Sequence, residues 1–309
     1  MKTFVFLFIL LWASLSFGQQ KQVCFSIDDM PVVSYGISDT CFQKDLIAKL
    51  VLSLKNNNIP AIGFVNEKKM RDENGPIPFQ IGLLNEWLDN GLELGNHTYS
   101  HPDYNEVSFT DYKQEIINGE TVLKEILGSR GKSLKYFRHP FLHVGNSKAK
   151  ADSLSEFLSA QGYTVAPVTI DNDDYLFAVA YKRAMVNNDT TLMLQIGHDY
   201  IEYMEKKAKY YEKQSQALFG RNINQILLIH ASSLNSDYVD SLAVMFRKND
   251  YAFISMDEAL ADNAYKTEVT VYGNLGISWL DRWALSQGKK GDFFKDEPVT
   301  PDYIKKLAE

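Results

Sequence analysis

The stretch Val23-Cys24-Phe25-Ser26-Ile27-Asp28-Asp29 is a mostly apolar run that ends in two adjacent aspartates. A short apolar run bounded by polar residues is typical of a strand buried on both faces, as in a parallel sheet. Two carboxyl groups at the end of such a strand are costly to bury unless a cation or hydrogen-bond donors compensate them. The stretch therefore predicts a buried strand followed by a cation site, with an aspartate-capped turn as the structural alternative.

Short apolar runs alternate with longer amphipathic segments along the rest of the chain, which is the pattern of repeated β-α units. We predict seven strands, at Val23–Ile27, Ala61–Val65, Leu92–Gly95, Tyr136–Arg138, Val165–Ile170, Ile226–Ile229 and Ala252–Ser255. Helices are predicted at Gln43–Asn57 and at Thr110–Leu127, the second closed by Gly128. The long segment Tyr181–Phe219, rich in Lys, Glu and Tyr, is interpreted as a helical insertion. The pattern predicts an α/β fold built as a barrel or a wound sheet.

The residues with chemical potential fall at or just beyond the carboxyl ends of predicted strands. In a barrel these ends share one face, where the following loops converge on the active site. The spacing therefore predicts a single site built from Asp28 and Asp29, His97 and His101, Arg138, Asp171 to Asp174, and His230.

His97-Thr98-Tyr99-Ser100-His101 places two imidazoles four residues apart, a spacing that one helical turn or a tight loop can direct at one ion. The spacing alone is weak evidence for a metal site. Together with Asp29 the histidines form a set of two imidazoles and one carboxylate, which leaves coordination positions open for water and substrate. Such a set indicates a catalytic rather than a structural metal.

These motifs, in this order, resemble those of the NodB-homology polysaccharide deacetylases of carbohydrate esterase family 4. The family's Thr-Phe-Asp-Asp-Gly motif is similar to 26–30, its motif of two histidines to 97–101, and its arginine-proline motif to 138–141. An aspartate followed by an aromatic residue is matched by Asp174-Tyr175, with Asp171 as a competing candidate, and the last motif, in which leucines precede a histidine, is matched with one conservative change by 227–230. The resemblance implies a distorted (β/α)7 barrel, with the helical insertion before the penultimate strand and a C-terminal helical extension.

The same resemblance implies a division of the chain and a set of roles. Residues 1–18 are expected to be a signal peptide, 19–262 the deacetylase domain with an insertion at about 181–219, and 263–309 an extension packed on the barrel. Asp29, His97 and His101 would bind one divalent ion, with zinc favoured and cobalt, nickel or manganese acceptable. The implied catalytic residues are the base Asp28, the acid His230, and their orienting partners Arg138 and Asp174.

The chain departs from the family pattern at Met30, which replaces a glycine, and at Tyr175, which replaces a tryptophan. We expect Met30 to avoid a left-handed backbone and to add an apolar group on the substrate side of the cleft. The expected substrate is an N-acetylated polysaccharide or oligosaccharide. An O-acetyl glycan esterase is the main alternative, and a non-catalytic glycan-binding protein or a metal-storage scaffold are others. Asp28 and His230 argue against a glycan-binding protein, because such a protein needs neither, and a metal-storage scaffold does not explain the arginine motif.

Charge and the N-terminal pattern narrow the class of protein further. Lys2, the apolar run Phe4–Ala13 and the small residues near Gly18 predict export to the periplasm or beyond, without stable membrane insertion after cleavage. A formal charge of −7 argues against a nucleic-acid partner. A disulfide between Cys24 and Cys41 would be possible after export, but a buried free cysteine is the favoured reading of Cys24. The oligomeric state is left open.

Overall fold

The computed structural model describes residues 20–309, so the predicted signal segment 1–18 lies outside the described residues and remains a prediction. The strands are β1 Lys21–Val33, β2 Ile62–Val65, β3 Arg71–Asp72, β4 Gly75–Pro76, β5 Glu93–Asn96, β6 Tyr136–Phe137, β7 Thr164–Val165, β8 Gln225–Ser232 and β9 Tyr251–Phe253. The α-helices are α1 Thr40–Asn56, α2 Pro78–Asp89, α3 Phe109–Asn118, α4 Thr121–Gly128, α5 Lys148–Ala160, α6 Asp174–Val186, α7 Thr190–Phe219, α8 Ser233–Lys248, α9 Met256–Leu260, α10 Trp279–Ser286 and α11 Asp302–Ala308.

Seven parallel strands form one curled sheet surrounded by helices. Its order is β7-β6-β5-β2-β1-β8, and β9 pairs with the beginning of β1. Ile170, beyond the end of β7, makes a parallel bridge to Leu227 of β8 and so draws the two edges of the sheet together. All seven predicted strands are present, and the predicted distorted barrel is confirmed. The segment predicted as a strand at 165–170 is regular only at Thr164–Val165.

Strand β1 continues past the two aspartates, and a bulge interrupts its pairing with β2 at that point. Its register with β2 shifts between Ile27 and Met30, and Asp29 has a left-handed backbone with φ 63°. A bulge bends a strand and redirects its side chains. Met30 is fully buried in the core, so the expectation that it adds an apolar group to the cleft is wrong. The left-handed residue is Asp29, one position before the residue that replaces the family's glycine.

The helical predictions differ from the structure in their bounds, and α1 begins at Thr40, three residues before the predicted start. The helix predicted at 110–127 is divided into α3 and α4, because Gly119 packs against the backbone of the loop that carries the histidines. A Cβ at Gly119 would lie 2.6 Å from the carbonyl carbon of Thr98. The segment predicted as an insertion at 181–219 is the end of α6 followed by the 30-residue α7. Its status as an insertion remains a prediction.

The segment after residue 262 packs closely against the barrel. The Trp279 N–H donates to the carbonyl of Val168 at 2.7 Å, and the Ser278 hydroxyl donates to the carbonyl of Thr169 at 2.8 Å. These contacts join α10 to the chain just before Asp171. The division of the chain at residue 262 stays a prediction.

Trp283 on α10 is expected to contribute strongly to stability. Its side chain is 1% exposed, and its ring packs edge-on against Phe219 and Tyr265. We expect Trp283→Ala to lower the free energy of unfolding by about 3–5 kcal/mol, because it removes a large buried side chain and leaves a cavity. Chemical denaturation measures the change. Leu194→Ala, at a site 68% exposed on α7, is the control and should change stability by less than about 0.5 kcal/mol. An equally small effect of Trp283→Ala would mean that the extension does not unfold with the barrel.

The two cysteines are not joined in the structure. Cys24 is buried in β1, Cys41 is exposed at the start of α1, and both are free. Among residues 20–309, no helix has the length and apolar character needed to span a membrane.

Candidate active site and metal centre

A cleft of about 610 Å³ opens at the carboxyl ends of the strands. This volume lies in the usual range for binding sites of small molecules. The predicted site residues Asp28, Asp29, His97, His101 and His230 line the cleft, and so does Asp171, the competing candidate for pairing with His230. Arg138 and Asp174 are fully buried behind it.

Asp29, His97 and His101 offer three ligand atoms to one point. The three atoms lie within 4.8 Å of one another. The Asp29 Oδ1 atom is 3.8 Å from His97 Nε2 and 3.7 Å from His101 Nε2. This Oδ1 atom is buried without a hydrogen-bond partner in the described residues. A buried, unpaired carboxylate oxygen facing two imidazole nitrogens is the donor set that a divalent cation would satisfy.

The protonation states of the histidines also suit a metal. His97 Nδ1 lies 2.9 Å from the Arg138 carbonyl, so this nitrogen must carry the proton and leaves the Nε2 lone pair free. Burial lowers the pKa of both His97 and His101, which favours the neutral, ligating form. Burial by itself would raise the pKa of Asp29, but the positive charges of Lys69 and His230 bring it below its ordinary value.

A tight loop, not a helix, presents the two histidines. The loop follows β5, and Thr98 and His101 both have left-handed backbones, with φ 67° and 62°. The Asn96 Oδ1 atom accepts the Thr98 N–H at 2.7 Å, and the Thr98 hydroxyl accepts the His101 N–H at 3.1 Å. These side-chain bonds compensate the unusual backbone conformation, which is uncommon outside glycine.

Asp28 is held by Arg138 at the base of the cleft. The Arg138 Nη1 atom donates to Asp28 Oδ2 at 3.3 Å, and its other nitrogens donate to the Ser26 hydroxyl and the Ala166 carbonyl. Burial raises the pKa of Asp28 to about 6, although the charges of Arg138 and His230 oppose the shift. Arg138 therefore orients Asp28, but desolvation of the carboxyl outweighs the charge of Arg138 in setting the pKa of Asp28.

His230 is paired with Asp174. Its Nδ1–H donates to Asp174 Oδ1 at 2.7 Å, and its backbone N–H donates to Oδ2 of the same carboxylate at 2.8 Å. Burial opposes protonation of the ring, but Asp174 more than compensates and raises the pKa of His230 to about 9. Asp171, the competing candidate, lines the cleft, and among residues 20–309 its carboxylate accepts only the N–H of Asn172, so Asp174 is the aspartate that contacts His230.

Three further side chains, none of them among the predicted site residues, support the site. Ser26 accepts from Arg138, Asn235 donates to Asp174 at 2.8 Å, and Lys69 donates to the backbone carbonyl of Asp29 at 2.5 Å. Ser26 is the first residue of the motif at 26–30, and Asn235 lies five residues after His230. Lys69 is 40 residues from its partner, and nothing in its local sequence distinguishes it.

The geometry agrees with the comparison to known families. Residues 18–160 match the family model described as polysaccharide deacetylase. The resemblance to the polysaccharide deacetylases is confirmed. The match includes Asp28, Asp29, His97, His101 and Arg138, and it ends before Asp174 and His230.

Two curated polysaccharide deacetylases are similar to part of the chain. A chitin deacetylase from Colletotrichum lindemuthianum is 30% identical over 123 residues, which are 40% of this chain and 45% of that protein. A peptidoglycan-N-acetylglucosamine deacetylase from Bacillus cereus is 26% identical over 116 residues, 37% of this chain and 38% of that protein. The chain thus matches less than half the length of these relatives. The matches to deacetylases support a hydrolase function for this chain.

Solved structures show the polysaccharide deacetylase fold over a larger part of the chain. A peptidoglycan N-acetylglucosamine deacetylase superposes with a TM-score of 0.50 and 16% identity, covering 78% of this chain and 88% of that one. A mutant of a pseudoenzyme from carbohydrate esterase family 4 gives a TM-score of 0.51 at 13% identity, covering 78% and 68%. Active and inactive proteins share this fold, so activity depends on the side chains of the site and not on the fold.

Proposed function

We propose that this protein hydrolyses acetyl groups from an N-acetylated polysaccharide or oligosaccharide with the help of one divalent metal ion. The observation that carries the proposal is the convergence of three elements on one cleft. These are the Asp29, His97 and His101 donor set, the carboxyl of Asp28 and the imidazole of His230. A pseudoenzyme or a glycan-binding module would need no such combination.

Asp28 and His230 have opposite protonation states at neutral pH, which suit a base and an acid. With a pKa of about 6, Asp28 is mostly ionised at neutral pH and still basic enough to accept a proton from the attacking water. With a pKa of about 9, His230 is protonated and can donate a proton to the leaving nitrogen. An amide nitrogen leaves poorly as an anion, so this proton is essential to the reaction.

Asp29, His97 and His101 would hold the metal, with zinc favoured. When bound there, the ion polarises the acetyl carbonyl and lowers the pKa of the attacking water. Arg138 keeps the Asp28 carboxyl in place, and Asp174 keeps the His230 ring in its useful orientation. A backbone N–H of the loop that follows Arg138 is proposed to stabilise the negative charge that develops on the acetyl oxygen.

Acetate release by the purified protein tests the proposal. The assay compares N-acetylated and O-acetylated oligosaccharides, with added zinc and after chelation. We expect release from an N-acetylated substrate that chelation abolishes and zinc restores. Metal binding without acetate release from any substrate would contradict the proposal. Release from O-acetylated substrates alone would identify the chain as an esterase.

The pH dependence of the reaction should report the pairing of His230 with Asp174. Because His230 must be protonated, kcat/KM is expected to fall as the pH rises through about 9. Asp174→Asn removes the charge that raises this pKa, so the alkaline limb should move to lower pH. Asp173→Asn is the matched control, because Asp173 pairs with the Thr300 hydroxyl and not with His230. An alkaline limb at the same pH in Asp174→Asn would mean that His230 is not the acid.

A further inference from the structure

One side of the cleft is formed by groups that the proposed reaction does not use. Phe141, His143 and Gly276 line the cleft, together with the residues already described. Phe141 is the last residue of the arginine motif and His143 follows it in the same loop, whereas Gly276 comes from the C-terminal segment. This side of the cleft is therefore assembled from parts of the chain more than 130 residues apart.

His143 forms a second Asp–His pair in the cleft. Its Nδ1–H donates to Asp103 Oδ1 at 2.6 Å, and the same oxygen accepts the Asn105 N–H at 2.8 Å. The carboxylate fixes the orientation of the ring, as it does for metal-bound and catalytic histidines. The Nε2 atom has no hydrogen-bond partner among residues 20–309, and the His143 side chain remains 16% exposed. An oriented imidazole with a free nitrogen in a cleft is suited to bind a hydroxyl group.

Phe141 connects this pair to the metal-binding set. Its ring centroid is 4.6 Å from that of His101 and 5.9 Å from that of His143. The apolar Phe141 side chain lines the cleft and is 52% exposed, so a ligand that covered it would bury apolar surface favourably. A pyranose ring offers an apolar C–H face and a rim of hydroxyl groups, so it can contact an aromatic ring and hydrogen-bond to an imidazole at once.

The C-terminal segment holds this loop in an unusual conformation. Phe141 and Leu142 both have left-handed backbones with φ 55°, which costs free energy that surrounding contacts must supply. The buried Arg282 donates to the carbonyl of Leu142 at 2.7 Å and also to the carbonyl of Leu275. An ideal Cβ on Gly276 would lie 2.7 Å from the Phe141 carbonyl oxygen and 3.1 Å from His143 Nε2. The close approach requires a glycine at this position.

We propose that Phe141, the Asp103-paired His143 and Gly276 form a subsite for a sugar ring adjacent to the acetylated unit of the glycan. The proposal rests on the proposed function for the nature of the ligand, and it adds the C-terminal segment to the substrate site. Its consequence is a preference for longer oligosaccharides. N-acetylglucosamine itself, bound over the metal ligands, does not reach this subsite, whereas a pentasaccharide occupies it.

Binding measurements test the subsite separately from turnover. Isothermal titration calorimetry with N-acetylglucosamine and with its pentasaccharide is carried out in the zinc-loaded Asp28→Asn background, where hydrolysis is slow. We expect His143→Ala to weaken pentasaccharide binding about three- to tenfold, the loss of one hydrogen bond, and to leave N-acetylglucosamine binding unchanged. His143→Gln, which keeps a hydrogen-bonding group, should lose less. Unchanged pentasaccharide affinity in His143→Ala, or no pentasaccharide binding by the parent protein, would overturn the proposal.

A pair of glycine substitutions tests the contribution of the C-terminal segment. Gly276→Ala should weaken pentasaccharide binding by displacing the loop, whereas Gly273→Ala should not, since its added Cβ meets only the Leu275 side chain at 3.6 Å. Equal affinities in the two variants would overturn this part of the proposal. Thermal unfolding of each variant identifies a general loss of structure. Length-dependent binding without acetate release by the native protein would contradict the proposed function and leave the subsite standing.

Discussion

Asp28→Asn is expected to lower acetate release by about 100- to 10,000-fold, the usual contribution of a general base. Asparagine has nearly the shape of aspartate but cannot accept the proton of the attacking water at neutral pH. The substitution leaves Asp29, His97 and His101 in place, so the protein should still bind metal. The measurement is the initial rate of acetate release with saturating zinc, together with the metal content of the purified variant.

Asp171→Asn is the matched control for this prediction. Asp171 lines the same cleft, and burial raises its pKa to about 7, yet it contacts neither Arg138 nor His230. Its replacement should change the rate little. A rate loss that is equal in the two variants would show that the cleft needs negative charge in general, and would remove the evidence for Asp28 as the base.

His230→Asn is expected to separate an amide substrate from an ester substrate. Loss of the general acid should slow release from an N-acetylated substrate by about 100-fold or more, because the nitrogen must be protonated as it leaves. An alkoxide leaves more easily, so the loss on an O-acetylated substrate should be clearly smaller. Rates on both substrates, each relative to the native protein, provide the test.

The control for His230 is His198→Ala, which replaces an exposed histidine on α7 that is absent from the cleft lining. It should be fully active on both substrates. If His230→Asn slows the amide and the ester equally, His230 acts on a step that the two reactions share, and the role of a proton donor to the leaving group is wrong.

Much of the fold could be predicted because strands leave a local signal. An apolar run such as 23–27 must be buried, and the seven runs of this kind are all strands of one sheet. The position of polar residues at the ends of these runs also predicted which side chains meet in the cleft. The helix predicted at 110–127 failed at Gly119, because its division depends on a contact with Thr98, which is distant in sequence.

The order of the strands along the chain, the apolar core and the set of residues from which the site is built all follow from local sequence patterns. The pairing of His230 with Asp174 rather than Asp171 depends on the three-dimensional fold, because both aspartates follow the same predicted strand and their spacing from it does not separate them. The fold also decides that burial raises the pKa of Asp28 and that Gly276 closes one side of the cleft. Burial, electrostatic shifts and close approach between distant segments depend on which parts of the chain lie side by side. Periodicity and motif spacing record only neighbours along the chain.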